Sequence, residues 1–129
     1  QAFLATAFHS IQNQDYKKIE ILVIDDNSQD ESSKIIKKYM SEDKRIILMK
    51  NTENKGALYS KSLGVLYAKG KYVMTLDSDD LYANKNAFSI LFNESEKNNL
   101  DILGFGSLFT DLNFNFTKSI FLKNSISLT

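Results

Sequence analysis

Apolar residues follow two spacings along this chain, and segments with the two spacings alternate. Short continuous apolar runs are typical of strands covered on both faces, whereas apolar residues three or four positions apart indicate one face of a helix. Helices are predicted to begin at Phe3, after Ser28, at Ala57 and at Asn84, and strands are predicted for residues 19–24, 45–49, 72–76 and 101–105. The order α-β-α-β-α-β-α-β predicts an α/β fold with a mainly parallel sheet flanked by helices, because such strands are joined by right-handed crossovers.

Three local signals refine this prediction, and a weaker pattern follows it. Ser28 and Glu31 fit the S-x-x-E capping box of a helix start, and Gly70 is expected to close the third helix. Gly64 inside that helix costs about 1 kcal/mol relative to alanine, which predicts the close approach of another element. After Ser107, apolar residues partly alternate with polar ones, which predicts a strand or hairpin. These residues are Phe109, Leu112, Phe114, Phe116, Ile120 and Phe121.

Acidic residues follow two of the predicted strands directly. Asp25 and Asp26 follow the first strand, and the sequence D-S-D-D at 77–80 follows the third. The carboxyl ends of parallel strands lie at one edge of a sheet, where open α/β folds bind ligands. Carboxylates about 5 Å apart repel each other by about 3 kcal/mol at an effective dielectric constant of about 20, and a hard divalent cation relieves that repulsion. The pattern predicts a metal or ligand site, with an exposed acidic turn as the alternative; Asp30 is assigned to the helix N-terminus.

The composition excludes several classes of protein. The 129 residues suffice for one domain, and 43% are apolar, so a packed core is expected. The 16 basic and 16 acidic residues balance, which gives no electrostatic basis for nucleic-acid binding. Cysteine is absent, and no apolar run approaches the roughly 20 residues of a membrane span. No signal peptide is recognisable, and the single histidine, His9, is assigned no role.

Three segments together resemble the family 2 glycosyltransferases with a GT-A fold. They are NQDYKKIEILVIDDNSQDES at 13–32, NTENKGALYSKSLGVLYAKGKYV at 51–73 and LDSDD at 76–80. Their order and spacing match the family, and the resemblance extends over roughly residues 3–106. It implies a Rossmann-like nucleotide-binding architecture and the transfer of a sugar from a nucleotide-diphosphate donor, with a UDP-sugar favoured. The implied acceptor is a surface glycan, a polysaccharide or a lipid-linked glycan.

The resemblance also implies roles for individual residues. Asp26 would accept a hydrogen bond from the nucleobase with Asp25 beside it, and Lys61 would contact the nucleotide. Lys61 and Ser62 stand where the family has an Arg-Asn pair, so Lys61 keeps the positive charge of the arginine but lacks its planar guanidinium group. Asp77, Ser78 and Asp79 would form the D-x-D motif. The metal ligands expected for Mn²⁺ or Mg²⁺ are Asp79, Asp80 and Asp77.

The same resemblance predicts what this chain lacks. The family's opening strand is absent, and the catalytic base is expected beyond residue 129; the surroundings of Asp111 support no base role. The chain is expected to be one incomplete GT-A domain over 1–129. Within it, 1–106 would form the nucleotide-sugar-binding half and 107–129 would begin the next segment. Transfer by inversion, in the cytoplasm at the inner face of the membrane, is implied.

Two alternatives remain at this point. One is a truncated protein that binds nucleotide without catalysing transfer. The other is a response-regulator receiver domain, because ILVIDDNS at 21–28 also resembles the first strand of that family and Asp77 lies at a suitable distance for a phosphoacceptor. The helix before that strand and the absence of proline argue against a receiver domain.

Overall fold

The computed structural model describes residues 3–111 and 116–120 of the chain. The elements are α1 (Leu4–Gln12), β1 (Ile21–Asp25), α2 (Ser32–Glu42), β2 (Ile46–Lys50), α3 (Ala57–Tyr67), α4 (Ala87–Asn98), β3 (Ser107–Thr110) and β4 (Phe116–Ile120). The alternation of helices and strands predicted for the first half is confirmed. Within the described residues, no helix has the length and apolar character that crossing a membrane requires.

The chain divides into two compact units, Gln1–Ala87 and Phe88–Thr129. In the first unit, β1 and β2 pair in parallel, with Ile21 opposite Ile46 and Asp25 opposite Lys50. Helix α3 packs on β1, helix α2 packs on β2, and α1 packs on α2. The parallel pair and its covering helices are those of an α/β fold, as the sequence pattern predicts.

The core of the first unit lies between the parallel strands and the first two helices. Its buried residues are Phe8, Ile21, Ile36, Tyr39 and Ile46. The rings of Phe8 and Tyr39 stack with centroids 4.5 Å apart, which joins α1 to α2. On α3, a Cβ built at Gly64 would lie 3.6 Å from the Ile24 side chain, so the predicted close approach at this glycine is confirmed.

The second unit contains α4 and a hairpin. Strands β3 and β4 pair antiparallel, with an irregularity of register between Phe109 and Thr110. The predicted hairpin is therefore confirmed, while the predicted apolar positions Leu112, Phe114 and Phe121 lie outside the described residues. The boundary between the two units falls before residue 88, whereas the predicted division of the family domain falls after residue 106. That division concerns the complete domain and stays a prediction.

Two predicted strands are wrong. Residues 72–76 belong to no described strand, and Val73 and Met74 are 46% and 38% exposed. Residues 101–105 contain a single bridge residue, Ile102, which is 51% exposed. A strand requires backbone hydrogen bonds to a neighbouring strand. These two apolar runs have a strand-like composition, but the described residues do not pair them with another strand.

Three predicted helix ends are also wrong. Helix α4 begins at Ala87 rather than at Asn84. Helix α2 begins at Ser32 rather than just after Ser28, and its N-cap residue Glu31 makes no side-chain capping bond. The Ser28 N–H donates instead to Asp25 Oδ1 (2.8 Å), so this segment turns before the helix starts. Helix α3 ends at Tyr67 with Ala68 in extended backbone, because the N–H groups of the next two residues, including Gly70, donate to the Glu20 carboxylate.

Candidate donor-nucleotide site

The carboxylate of Asp25 is buried at the end of β1. Its Oδ1 accepts a hydrogen bond from the Ser28 N–H (2.8 Å), and its Oδ2 accepts one from the Ser33 hydroxyl (2.9 Å). The Lys50 ammonium, on the paired residue of β2, lies 3.5 Å from Oδ2. Burial raises the pKa of Asp25, but the hydrogen bonds and the Lys50 charge together outweigh it and hold the pKa below its ordinary value. Asp25 is therefore an ionised side chain fixed by its surroundings.

The carboxylate of Asp26 is bound by the loop that follows β2. Its Oδ1 accepts hydrogen bonds from Asn51 Nδ2 (2.7 Å) and the Lys55 N–H (2.8 Å), and its Oδ2 accepts one from the Gly56 N–H (2.7 Å). The Lys55 bond, followed by the Asn51 bond, holds the pKa of Asp26 below its ordinary value. Gly56 is the N-cap residue of α3, so Asp26 also orders the start of that helix.

The hydrogen bonds around Asp25 and Asp26 also involve three residues to which the sequence pattern assigns no role: Asn51, Ser60 and Ser33. Asn51 is 8% exposed and donates through Nδ2 to both Asp26 and the Ser60 hydroxyl of α3 (3.2 Å). Ser33 of α2 donates to Asp25. The signal for Asn51 is present in the sequence: it follows β2 directly, as Asp26 follows β1. The serines give no such signal, because their partners lie on other elements.

A cleft of about 230 Å³ opens at the carboxyl end of β1. Asp25, Asp26 and Ser28 line it, together with Ser78 from the second acidic segment. Val23 and Ile36 are among its apolar lining residues. The structure thus brings one residue of the D-S-D-D segment to the same cleft as the two carboxylates after β1.

The acidic segment 77–80 is a turn on the surface. The Asp80 N–H donates to the Asp77 carbonyl (3.0 Å), and all four residues are exposed. The Lys61 ammonium of α3 lies 2.8 Å from Asp77 Oδ1 and 2.9 Å from Oδ2, and this bond raises the pKa of Lys61. Lys61 is therefore held at the acidic turn, next to the cleft residue Ser78.

The charge of this turn is incompletely balanced. Although Asp80 is exposed, its carboxylate is partly screened from water by the protein, and this raises its pKa. The neighbouring Asp79 and Asp77 carboxylates raise the pKa of Asp80 further. Three carboxylates are hard oxygen ligands of the kind that Mg²⁺ and Mn²⁺ prefer. In the part of the chain that the structure describes, however, no three acidic or histidine side chains meet in an arrangement that could hold a metal ion. The donor chemistry fits a divalent cation, and the metal site itself stays a prediction.

Comparison with known proteins identifies the family. Residues 1–123 match the family model described as glycosyl transferase family 2. The chain belongs to this family. The match confirms the resemblance carried by the three sequence segments, and it decides against the response-regulator alternative.

Individual glycosyltransferases match two thirds or more of this chain. An Escherichia coli protein named UDP-Glc:alpha-D-GlcNAc-diphosphoundecaprenol beta-1,3-glucosyltransferase WfaP is 43% identical over 89 residues, which are 68% of this chain and 35% of that protein. Glycosyltransferase GlyG of Streptococcus pneumoniae is 31% identical over 101 residues, or 78% of this chain and 33% of GlyG. The chain spans about one third of the length of these relatives.

A solved structure supports the fold. The crystal structure of S. aureus TarS superposes with a TM-score of 0.72 at 24% sequence identity, over 79% of this chain and 18% of TarS. At this identity the likeness concerns the fold alone, and it confirms the GT-A type of α/β architecture.

Proposed function

We propose that this chain carries the donor-nucleotide site of a glycosyltransferase that transfers a sugar from a nucleotide-diphosphate sugar, a UDP-sugar first of all, to a glycan or lipid-linked acceptor. The observation that carries the proposal is the shared cleft, which is lined by Asp25, Asp26 and Ser78. The E. coli relative is named for a UDP-glucose donor and a diphosphoundecaprenol-linked acceptor, which agrees in chemistry with this proposal. With a lipid-linked acceptor, the enzyme would act in the cytoplasm at the inner face of the membrane.

The carboxylates after β1 would recognise the nucleotide base. An ionised carboxylate accepts hydrogen bonds and cannot donate them, so Asp26 would select an N–H group of the base. Its lowered pKa keeps it ionised at neutral pH. Asp25, held by Ser28, Ser33 and Lys50, fixes the end of the strand on which Asp26 lies. Groups of the chain itself therefore hold the carboxylate at this end of the strand.

The acidic turn would serve the diphosphate. Asp77, Asp79 and Asp80 would hold a Mn²⁺ or Mg²⁺ ion. A divalent cation bound there would stabilise the negative charge that develops on the leaving diphosphate. Lys61 brings a positive charge to the same turn and would contact the diphosphate or keep Asp77 in place. Transfer by a single displacement, with inversion at the sugar, needs a base that we expect beyond residue 129.

The proposal is tested by calorimetric titration of the chain with UDP and with GDP, each in the presence of Mn²⁺ and again with EDTA. We expect one nucleotide to bind in a metal-dependent manner. Circular dichroism verifies that the chain is folded, and a folded chain that binds neither nucleotide would contradict the proposal.

Variants separate the two halves of the proposed site. Asp79→Asn and Asp80→Asn should abolish the metal-dependent part of nucleotide binding and leave the fold intact. Asp26→Ala should weaken nucleotide binding about tenfold or more even in EDTA, because a hydrogen bond to a charged group is lost. The matched control is Asp101→Asn, which makes the same chemical change at an exposed residue that does not line the cleft. Unchanged binding in both Asp79 and Asp80 variants would rule out the assigned metal ligands.

A further inference from the structure

Asn51 joins the carboxyl ends of both parallel strands to helix α3. It is the first residue after β2, and its backbone N–H donates to the Asp25 carbonyl (2.9 Å), which extends the strand pairing by one bond. Its side-chain Nδ2 donates to Asp26 Oδ1 (2.7 Å) and to Ser60 Oγ (3.2 Å). Asn51 is thus held by three hydrogen bonds, one from its backbone and two from its side chain. The residue is only 8% exposed, so it contributes little to the surface.

Several donors of the chain reach the Asp26 carboxylate. Oδ1 accepts from Asn51 Nδ2 and from the Lys55 N–H, and Oδ2 accepts from the Gly56 N–H. The Ser60 hydroxyl also interacts with this carboxylate and lowers its pKa. Because Asn51 holds Oδ1 of a side chain that lines the cleft, it helps to fix the rotation at which the carboxylate faces the cleft.

The chemistry of an amide suits this position. Aspartate at residue 51 would place a second carboxylate against Asp26, and an aliphatic side chain would leave the Ser60 hydroxyl without this partner and Oδ1 with a vacant site. An NH₂ group supplies two donors from one neutral side chain, which is what the Asp26 and Ser60 oxygens require.

We propose that Asn51 is a positioning residue for the donor nucleotide: its amide holds the Asp26 carboxylate in the orientation in which it lines the cleft and would accept a hydrogen bond from an N–H group of the nucleotide base. The proposal rests on the function proposed above and deepens it, since it names the residue that orients the carboxylate. It also predicts selectivity, because a base that offers an N–H donor at this point is accepted and one that offers a lone pair is rejected.

A double-mutant cycle on nucleotide affinity tests this role. Asn51→Ala should weaken UDP binding about tenfold in the otherwise unchanged chain and should have no further effect when Asp26 is already alanine. Asn54→Ala is the matched control: it makes the same change at an exposed residue of the same loop, whose side-chain oxygen accepts from the Gly56 N–H, so its effect on affinity should be smaller. Equal loss of affinity from Asn51→Ala in both backgrounds would overturn the proposal and leave Asn51 a structural role alone.

A second measurement does not depend on nucleotide binding. The pKa of Asp26, followed by carboxyl-carbon NMR, should rise in Asn51→Ala, because one hydrogen bond to the charged form is lost. An unchanged pKa would overturn the proposal even if UDP binds normally. A raised pKa together with no nucleotide binding by the unmodified chain would overturn the proposed function, and with it the nucleotide role of Asn51. Thermal unfolding of each variant, followed by circular dichroism, sets a temperature at which all are folded.

Discussion

The two acidic clusters of the first unit use the same side chain in opposite environments. At the end of β1, the Asp25 and Asp26 carboxylates accept five hydrogen bonds between them from backbone, hydroxyl and amide donors, and both pKa values are lowered. At the acidic turn, partial burial and then the neighbouring Asp79 and Asp77 carboxylates raise the pKa of Asp80. Carboxylates at the end of the paired strand are met by several neutral donors from neighbouring elements, whereas at the turn the Lys61 ammonium binds Asp77 and like charges surround Asp80.

This difference agrees with two separate tasks in the proposed site: recognition of the nucleotide base at the end of β1, and binding of the metal ion and the diphosphate at the acidic turn. The first cluster is held by hydrogen bonds within the chain, so we expect little conformational entropy to be lost there on binding. The second cluster carries repulsion that Lys61 offsets at Asp77. A cation and a diphosphate would relieve the remainder, which makes the second cluster the part that responds to ligand.

Breaking the first cluster should have the largest effect on stability. Asp25→Ala leaves the Ser28 N–H, the Ser33 hydroxyl and Lys50 without their buried acceptor, and we expect a loss of about 3 kcal/mol in the free energy of unfolding. Urea denaturation at pH 7 measures it. Asp79→Ala, on the exposed turn, serves as the comparison and should change stability by less than about 0.5 kcal/mol. Similar losses in both variants would show that the environments do not differ as described.

The same variant has a defined dependence on pH. The pKa of Asp25 is lower in the folded chain than in the unfolded chain, so the folded state binds fewer protons. Its stabilising contribution is complete above the ordinary aspartate pKa, about 4, and is lost as the pH falls through the lowered value. The stability difference between Asp25→Ala and the unmodified chain should therefore shrink in acid. A difference that stays constant to pH 2 would contradict a role for ionised Asp25.

The backbone at the start of α3 should give the next largest effect. Gly56 has φ of 87°, a conformation that side chains disfavour, and its N–H donates to Asp26. We expect Gly56→Ala to lower the free energy of unfolding by about 1–2 kcal/mol, although space for a methyl group is available. Gly64→Ala is the matched control on the same helix: ordinary contact with Ile24 should make it neutral or stabilising. Urea denaturation of both variants decides the comparison.

The smallest effect is expected on the exposed turn, and with opposite sign. Because the pKa of Asp80 is raised in the folded chain, its ionisation opposes folding, and the penalty disappears as the pH falls through the raised pKa. Asp80→Asn should raise stability at pH 7 by less than about 0.5 kcal/mol and should match the unmodified chain in acid. Denaturation curves at pH 7 and pH 3 test this, and a loss of stability at pH 7 would contradict the assigned repulsion.

Local patterns were sufficient for the elements that form the first unit. The apolar runs of β1 and β2 and the spacing in α1 and α3 are properties of adjacent residues, and the structure has helices and strands at those places. The segment 72–76 has an equally strand-like composition but forms no described ladder. Pairing is decided by partners distant in sequence, which propensity does not encode.

The candidate site likewise depends on partners that are distant in sequence. The positions of Asp25 and Asp26 at a strand end follow from the pattern, but their partners come from α2, β2 and the loop before α3. The Asp26 to Lys55 hydrogen bond joins residues 29 positions apart. The capping-box prediction was wrong for a related reason: the Ser28 N–H donates to Asp25, a partner that the four-residue motif does not contain.

The central claim is that the two clusters serve one ligand. Electron paramagnetic resonance measures free Mn²⁺ directly, so the affinity of the chain for Mn²⁺ can be compared with and without UDP. Because linkage is reciprocal, one shared site predicts that UDP tightens Mn²⁺ binding by about 5- to 150-fold, and that Asp26→Ala reduces this coupling without touching the acidic turn. Equal Mn²⁺ affinity with and without UDP would show that the clusters after β1 and at 77–80 do not form one donor site.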